Sequence, residues 1–247
     1  MAKIKLKAIS TRAPRGYDKD ATKHKLAAIL QELNELQNLL YAEGKHSILV
    51  ILQGMDAAGK DGLVRDVFTS MNPTGIRVHS FKVPTEEELS HDFLWRIHKV
   101  VPPKGMIHVF NRSHYEDILI TRVHKITDDA TAKKRMAAIN NFERLLAENG
   151  TQILKFYLHI SQEEQHERLQ ERLTLPGKMW KYNSKDFDES ARWNDYMKYY
   201  EAAFNNCGDI PWHIVPSDQN WYKSYMVANT LLTTLKGLKM KYPGLKK

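Results

Sequence analysis

One junction in the chain constrains its fold more than any other. The run Ser47-Ile48-Leu49-Val50-Ile51-Leu52-Gln53 passes directly into Gly54-Met55-Asp56-Ala57-Ala58-Gly59-Lys60-Asp61-Gly62. The first stretch is short, rich in Ile, Leu and Val, and bounded by Gly44 and Gly54, so it reads as a buried strand. The second fits G-x-x-x-x-G-K, and a helical pattern starts at once after it. A strand that turns through such a loop into a helix aims backbone N–H groups and a helix N-terminus at one anion. Gly54 and Gly59 permit the tight turn. The loop residues Ala57, Ala58, Gly59, Lys60, Asp61 and Gly62 then line a phosphate seat, with Lys60 adding a full positive charge. Asp61 stands where a hydroxyl residue usually follows the lysine, so Asp56 and Asp61 become the oxygen ligands available to a divalent ion. The alternative is a glycine turn carrying a solvated lysine.

The rest of the pattern supports an α/β sheet. Apolar residues Leu26, Ile29, Leu30, Leu33, Leu36, Leu39 and Leu40 recur at helical spacing before Gly44, which predicts a helix over 21–42. Further strands are expected at Ile76–Phe81, Met106–Phe110, Ile153–Leu158 and Trp212–Val215. Helices are expected at Asp61–Met71, Thr85–Val100, Asp128–Glu148, Gln162–Leu173 and about 220–238. Such alternation predicts a five-stranded parallel sheet with helices on both faces and ligands at the carboxyl ends of the strands. No linker divides the chain, so 1–247 reads as one domain. Residues 1–20 form an extended basic arm. The one long irregular stretch, 174–190, has the length of a functional lid.

Two more segments carry chemistry. Ile107-His108-Val109-Phe110 delivers Asn111-Arg112-Ser113-His114-Tyr115-Glu116-Asp117 at a strand's carboxyl end. Arg112 can clamp a phosphate, and Glu116 or Asp117 can hold magnesium. Arg168 and Arg172, four apart, share a helix face that leads to Pro176-Gly177-Lys178-Met179-Trp180-Lys181. That suits a basic lid over phosphates, with Lys178 and Lys181 in it. The alternative for the arginines is a solvated face paired with Glu164, Glu167 and Glu171. His114 lies beside the acidic pair, but a bland role is favoured for it. Trp193, Tyr196, Tyr199, Tyr200 and Phe204 read as core or interface, and Lys236–Lys247 as a solvated charge run.

Composition narrows the partner to an anion, whether nucleic acid, nucleotide or another polyanion, without choosing among them, and bears on the compartment. Lys and Arg number 37 against 29 acidic residues, a net charge of +8, which calls for an anionic partner. A single cysteine, Cys207, excludes an internal disulfide and makes the cytoplasm the expected compartment. No run is long enough to span a membrane, and Met1–Lys7 lacks the apolar region of a secretory signal.

The segments G-M-D-A-A-G-K-D-G, F-N-R-S-H-Y-E-D and P-G-K-M-W-K, in this order and spacing, resemble the polyphosphate kinase 2 family. Thr11-Arg12-Ala13-Pro14 and Pro211-Trp212-His213-Ile214-Val215-Pro216 resemble it too, so the likeness spans nearly the whole chain. It implies a thymidylate-kinase-like P-loop kinase fold with a helical lid. It implies transfer of a terminal phosphoryl group between inorganic polyphosphate and a nucleoside phosphate, AMP, ADP or ATP, with Mg2+ or Mn2+ as cofactor. It implies a homo-oligomer, dimer or tetramer; nucleic acid and membrane are not expected as partners, because no nucleic-acid-reading motif is visible and no apolar run spans a bilayer. The catalytic set implied is Asp56, Lys60, Arg112, Asp117 and Arg172, with Glu116 beside Asp117. Two other functions share parts of this pattern: an ATP-dependent nucleoside monophosphate kinase, and a P-loop module that binds nucleic acid.

Overall fold

The computed structural model describes residues 3–245. Its first long helix, α1 (Lys19–Glu43), starts at Asp18, whose carboxylate accepts from the Ala21 N–H. It ends at Gly44, which adopts a left-handed conformation and returns its N–H to Leu40. The chain then enters β1 (Ser47–Gln53), buried at every residue. Four more strands follow: β2 (Ile76–Ser80), β3 (Ile107–Asn111), β4 (Thr151–His159) and β5 (Trp212–Pro216). All pair in parallel, in the order β2-β3-β1-β4-β5. The apolar run before the loop thus becomes the central strand, where continuous hydrophobic character is needed.

Register positions the site. Leu52 of β1 lies opposite Asn111 of β3, and Gln53 opposite Tyr157 of β4. The loop after β1 and the polar segment after β3 therefore emerge side by side. The Arg112 N–H closes this junction on the Leu52 carbonyl at 3.1 Å.

Helices cover both faces of the sheet. The loop leads into α2 (Lys60–Phe68), which packs with the last helix. Thr85–Val100, expected as one helix, is instead two single turns, α3 (Glu86–Leu89) and α4 (Trp95–His98). A capping box between Thr85 and Glu88 starts the first turn, and the Asp92 carboxylate takes the Leu94 N–H at 2.9 Å, restarting the chain before the second. After β3 comes a short 3-10 segment (His114–Ile118), then α5 (Ile120–Val123) and α6 (Asp129–Glu148). The helix after β4 is α7 (Gln162–Thr174).

Residues 174–190, expected to be irregular, are largely helical: α8 (Pro176–Met179) and α9 (Lys185–Ala191). Pro176 opens α8 because a proline at a helix start gives up an N–H that would be unpaired anyway. The chain continues through α10 (Trp193–Asn206), which buries Tyr196, Tyr200 and Phe204, and after β5 closes with α11 (Asn220–Gly237) against α1.

The described part of the arm is anchored. Leu6 is buried, and Thr11 and Ala13 bond to Asp218 and Gln219. Met1, Ala2 and the end of the basic tail, Lys246 and Lys247, lie outside the described residues. Among the described residues no helix is long and apolar enough to cross a membrane.

Candidate active site

The loop after β1 is held open from behind. Lys60 Nζ donates to the carbonyls of Gly54 at 2.6 Å and Met55 at 3.0 Å. Gln165 Nε2 donates to the Asp56 carbonyl at 3.0 Å, and Arg168 Nη1 to that of Ala57 at 3.2 Å. Lys223 Nζ donates to the carbonyls of Gly59 at 3.1 Å and Ala58 at 3.5 Å. Every carbonyl from 54 to 59 thus accepts from a side chain. The Lys60, Asp61 and Gly62 N–H groups begin α2 without intrahelical partners and without a side-chain cap. This gives the arrangement an anion requires. Gly59 suits its place because its φ is 91°, and a Cβ there would lie 2.3 Å from Lys223 Nζ and push that brace aside. Of the loop amides expected to face phosphate, that of Ala58 is turned inward instead, bonded to the Met55 carbonyl at 3.1 Å.

A charged group gathers in front. Arg112 Nη2 pairs with Asp56 Oδ1 at 2.6 Å. Arg112 has φ 63° and Ala57 φ 62°, both left-handed and unusual for non-glycine residues. Burial lowers the pKa of Lys60, and Arg112 pushes the same way against Asp56, Glu116 and Asp61. Burial raises Glu116, against the pull of Arg112 and Lys60. Gln53, oriented to satisfy both its amide atoms, donates to Glu116 Oε1 at 3.1 Å and accepts from Ser113. Glu116 is therefore the acidic residue of its pair that shares the electrostatic field of Lys60 and Arg112.

Asp117, expected beside it at the metal, faces elsewhere. Its carboxylate lies 3.7 Å from Arg135, and burial raises its pKa against Arg135, Arg96 and His114. The divergence of the two carboxylates has a simple cause. Adjacent side chains on a 3-10 turn diverge by about a third of a turn, so only one can aim at the loop.

The remaining expected residues divide. Asp61 accepts from Asn111 Nδ2 at 2.7 Å and lies 3.9 Å from Lys181, which places Lys181 near the loop. Lys178 instead pairs with Glu171 on the surface. Arg168, expected to bind phosphate, is a brace: it donates to Glu164 and to the Ala57, Ser217 and Asp218 carbonyls. Four of its five N–H donors are spent on protein, leaving little for a ligand. Arg172 pairs with Asp186 of α9 and donates to the Lys181 carbonyl at 3.3 Å. It is 16% exposed rather than free in solvent. His114 is fully buried against Glu143, in keeping with a structural role.

Four residues escaped the sequence reading. Asp186 turns toward the site: burial, then the Asp56 charge, raise its pKa against Arg172. Lys223 and Gln165 brace the loop from α11 and α7. Both lie on faces whose neighbours at helical spacing, Val227 and Leu169, are buried, and that periodicity was the available signal. Lys155, in the middle of β4, is buried and donates to Tyr115 Oη, Glu143 Oε2 and the Cys207 carbonyl at 2.9, 2.7 and 2.8 Å. Tyr115 Oη donates in turn to Glu143 Oε1 at 2.7 Å. This network pins the 3-10 segment that carries Glu116.

The family model described as polyphosphate kinase 2 matches residues 16–243. The chain belongs to the polyphosphate kinase 2 family. An AMP/ADP-polyphosphate phosphotransferase of Meiothermus ruber is 50% identical over 227 residues, 91% of this chain and 85% of the relative. An ADP-polyphosphate phosphotransferase of Rhodopseudomonas palustris is 42% identical, over 87% of this chain and 79% of the relative. The crystal structure of polyphosphate kinase 2 from Arthrobacter aurescens TC1 superposes with a TM-score of 0.97 at 45% identity, covering 100% of this chain and 90% of that one. The polyphosphate kinase 2 match spans all three motif segments, 54–62, 110–117 and 176–181.

Proposed function

We propose that this chain transfers a terminal phosphoryl group between inorganic polyphosphate and a nucleoside mono- or diphosphate, AMP and ADP foremost. The observation that carries the reading is the convergence of Asp56, Lys60, Arg112 and Glu116 on one anion seat, in a chain 50% identical to an AMP/ADP-polyphosphate phosphotransferase.

Phosphoryl transfer asks little covalent work of a protein; alignment and charge stabilisation supply most of the rate. Lys60 spends two of its three donors on the Gly54 and Met55 carbonyls, which leaves one for a phosphate oxygen. The free amides of Lys60, Asp61 and Gly62 fix that phosphate. Arg112, anchored by Asp56 and 41% exposed, presents its other N–H groups to the phosphoryl oxygens. Arg172 and Lys181 approach from the lid side.

The donor set fits a divalent ion. Among the described residues no three His, Cys, Asp or Glu side chains form a metal cage. Magnesium usually takes one or two carboxylates and completes its shell with water and substrate phosphates. Asp56 and Glu116 would hold Mg2+ or Mn2+ here, with Asp61 within reach of the same phosphates. The ion supplies neutralisation of the charge that builds on the phosphoryl oxygens.

The deciding assay is AMP or ADP with polyphosphate and magnesium, without ATP, the nucleotides being separated by chromatography. Formation of ADP or ATP is expected. No such product, together with ready transfer from ATP to AMP, would mean an ATP-dependent monophosphate kinase instead.

A further inference from the structure

Of the side chains that brace the loop, Gln165 also reaches a helix of the 174–190 segment. Gln165 is fully buried on α7. The Asp56 carbonyl can only accept, so the Gln165 nitrogen must face it, at 3.0 Å. Its oxygen then faces Ser190 Oγ, which donates to it at 2.8 Å. Ser190 lies near the end of α9, the helix that also carries Asp186, the partner of Arg172. A buried amide thus joins the backbone of Asp56 to a helix of the 174–190 segment.

An apolar residue would fill this position without needing partners, as Leu169 does one turn later. A buried amide with both ends engaged fixes a geometry instead. The geometry it fixes matters, because the same residue, Asp56, carries the carboxylate that holds Arg112.

We propose that Gln165 is a positioning residue that couples the placement of α9 to the phosphate loop through Ser190 Oγ and the Asp56 carbonyl. When Ser190 is seated, Gln165 is held with its nitrogen on Asp56, and the Asp56–Arg112 pair is set for transfer. When α9 moves away, the amide oxygen loses its donor, Ser190 Oγ, and the amide is free to rotate off the loop. The proposal rests on the phosphotransfer reading above.

The test is a double-mutant cycle on the full chain, with polyphosphate and ADP as substrates. Ser190→Ala is expected to lower kcat about fivefold, roughly the rate equivalent of one hydrogen bond. KM for both substrates should stay within about twofold, with little change in Tm. Gln165→Met should lower kcat about tenfold or more. The double variant should be no slower than Gln165→Met alone, because one relay is being cut twice. Ser190→Thr, which keeps the hydroxyl, should restore most of the rate. Multiplying effects in the double variant, or a wild-type kcat for Ser190→Ala, would overturn the coupling. Should the unaltered chain transfer from ATP to AMP but not from polyphosphate, the phosphotransfer reading has failed. The same cycle run with ATP and AMP then decides the coupling separately.

Discussion

Lys223 offers a test of the loop architecture that needs no substrate. Its ammonium is buried under the loop, bonded to Asn220 Oδ1 at 2.7 Å and to the Gly59 and Ala58 carbonyls. Burial lowers its pKa to about 7, with Arg168 pushing the same way and Asp66 opposing. In the unfolded chain the group returns to the ordinary lysine value of about 10.4. Between these values the unfolded chain binds more protons than the folded one, so stability from this group rises with pH through that window. Below about pH 7 both states are protonated and its contribution is flat.

From pH 7 to pH 9 the folded lysine goes from half to almost fully neutral while the unfolded one stays charged. The gain works out at about 2 kcal/mol. Lys223→Met removes the titration while nearly keeping the volume. Urea unfolding of both proteins at pH 7, 8 and 9 should show the wild type gaining about 2 kcal/mol on the variant. Parallel pH profiles would refute a depressed Lys223, and with it the view that this ammonium is desolvated beneath the loop.

Lys60→Met should cut turnover on the order of 100-fold in steady-state kinetics, with a lowered but still cooperative thermal melt, because the Gly54 and Met55 carbonyls lose their side-chain donor. Glu116→Gln should raise the magnesium concentration for half-maximal rate more than Asp117→Asn, since only Glu116 shares the field of Lys60 and Arg112; equal shifts would reverse that assignment. Arg172→Ala should lower kcat and make residues 174–190 more sensitive to limited proteolysis, because it unties Asp186. Apparent affinity for long polyphosphate should fall more steeply with salt than that for ADP, as more counterions are released from the longer anion; equal slopes in a salt titration would count against an extended phosphate path.

Much of the fold was legible because its signals are local. The strand before Gly54 and the helix before Gly44 carry their own periodicity and punctuation. The break within 85–100 was less visible, because it depends on Asp92 capturing a backbone N–H. Residues 174–190 looked irregular because α8 and α9 are too short for periodicity to register, and what orders them is the pairing of Arg172 with Asp186. The loop residues could be named from spacing alone. The choice between Glu116 and Asp117 could not, since it depends on the phase of one 3-10 turn. Arg168 looks in sequence like any cation on a helix; only tertiary packing turns its donors onto carbonyls.

The left-handed backbone at Arg112 has a consequence for how this protein can change. An ordinary residue there stores about 1–2 kcal/mol relative to glycine. Arg112→Gly or Arg112→Asn would relax that backbone, but either would also discard the guanidinium that pairs with Asp56 and offsets the buried Glu116. Gain and loss fall on one residue, so stabilising changes are expected to accumulate away from it. At position 112 the backbone and the side chain ask for different residues.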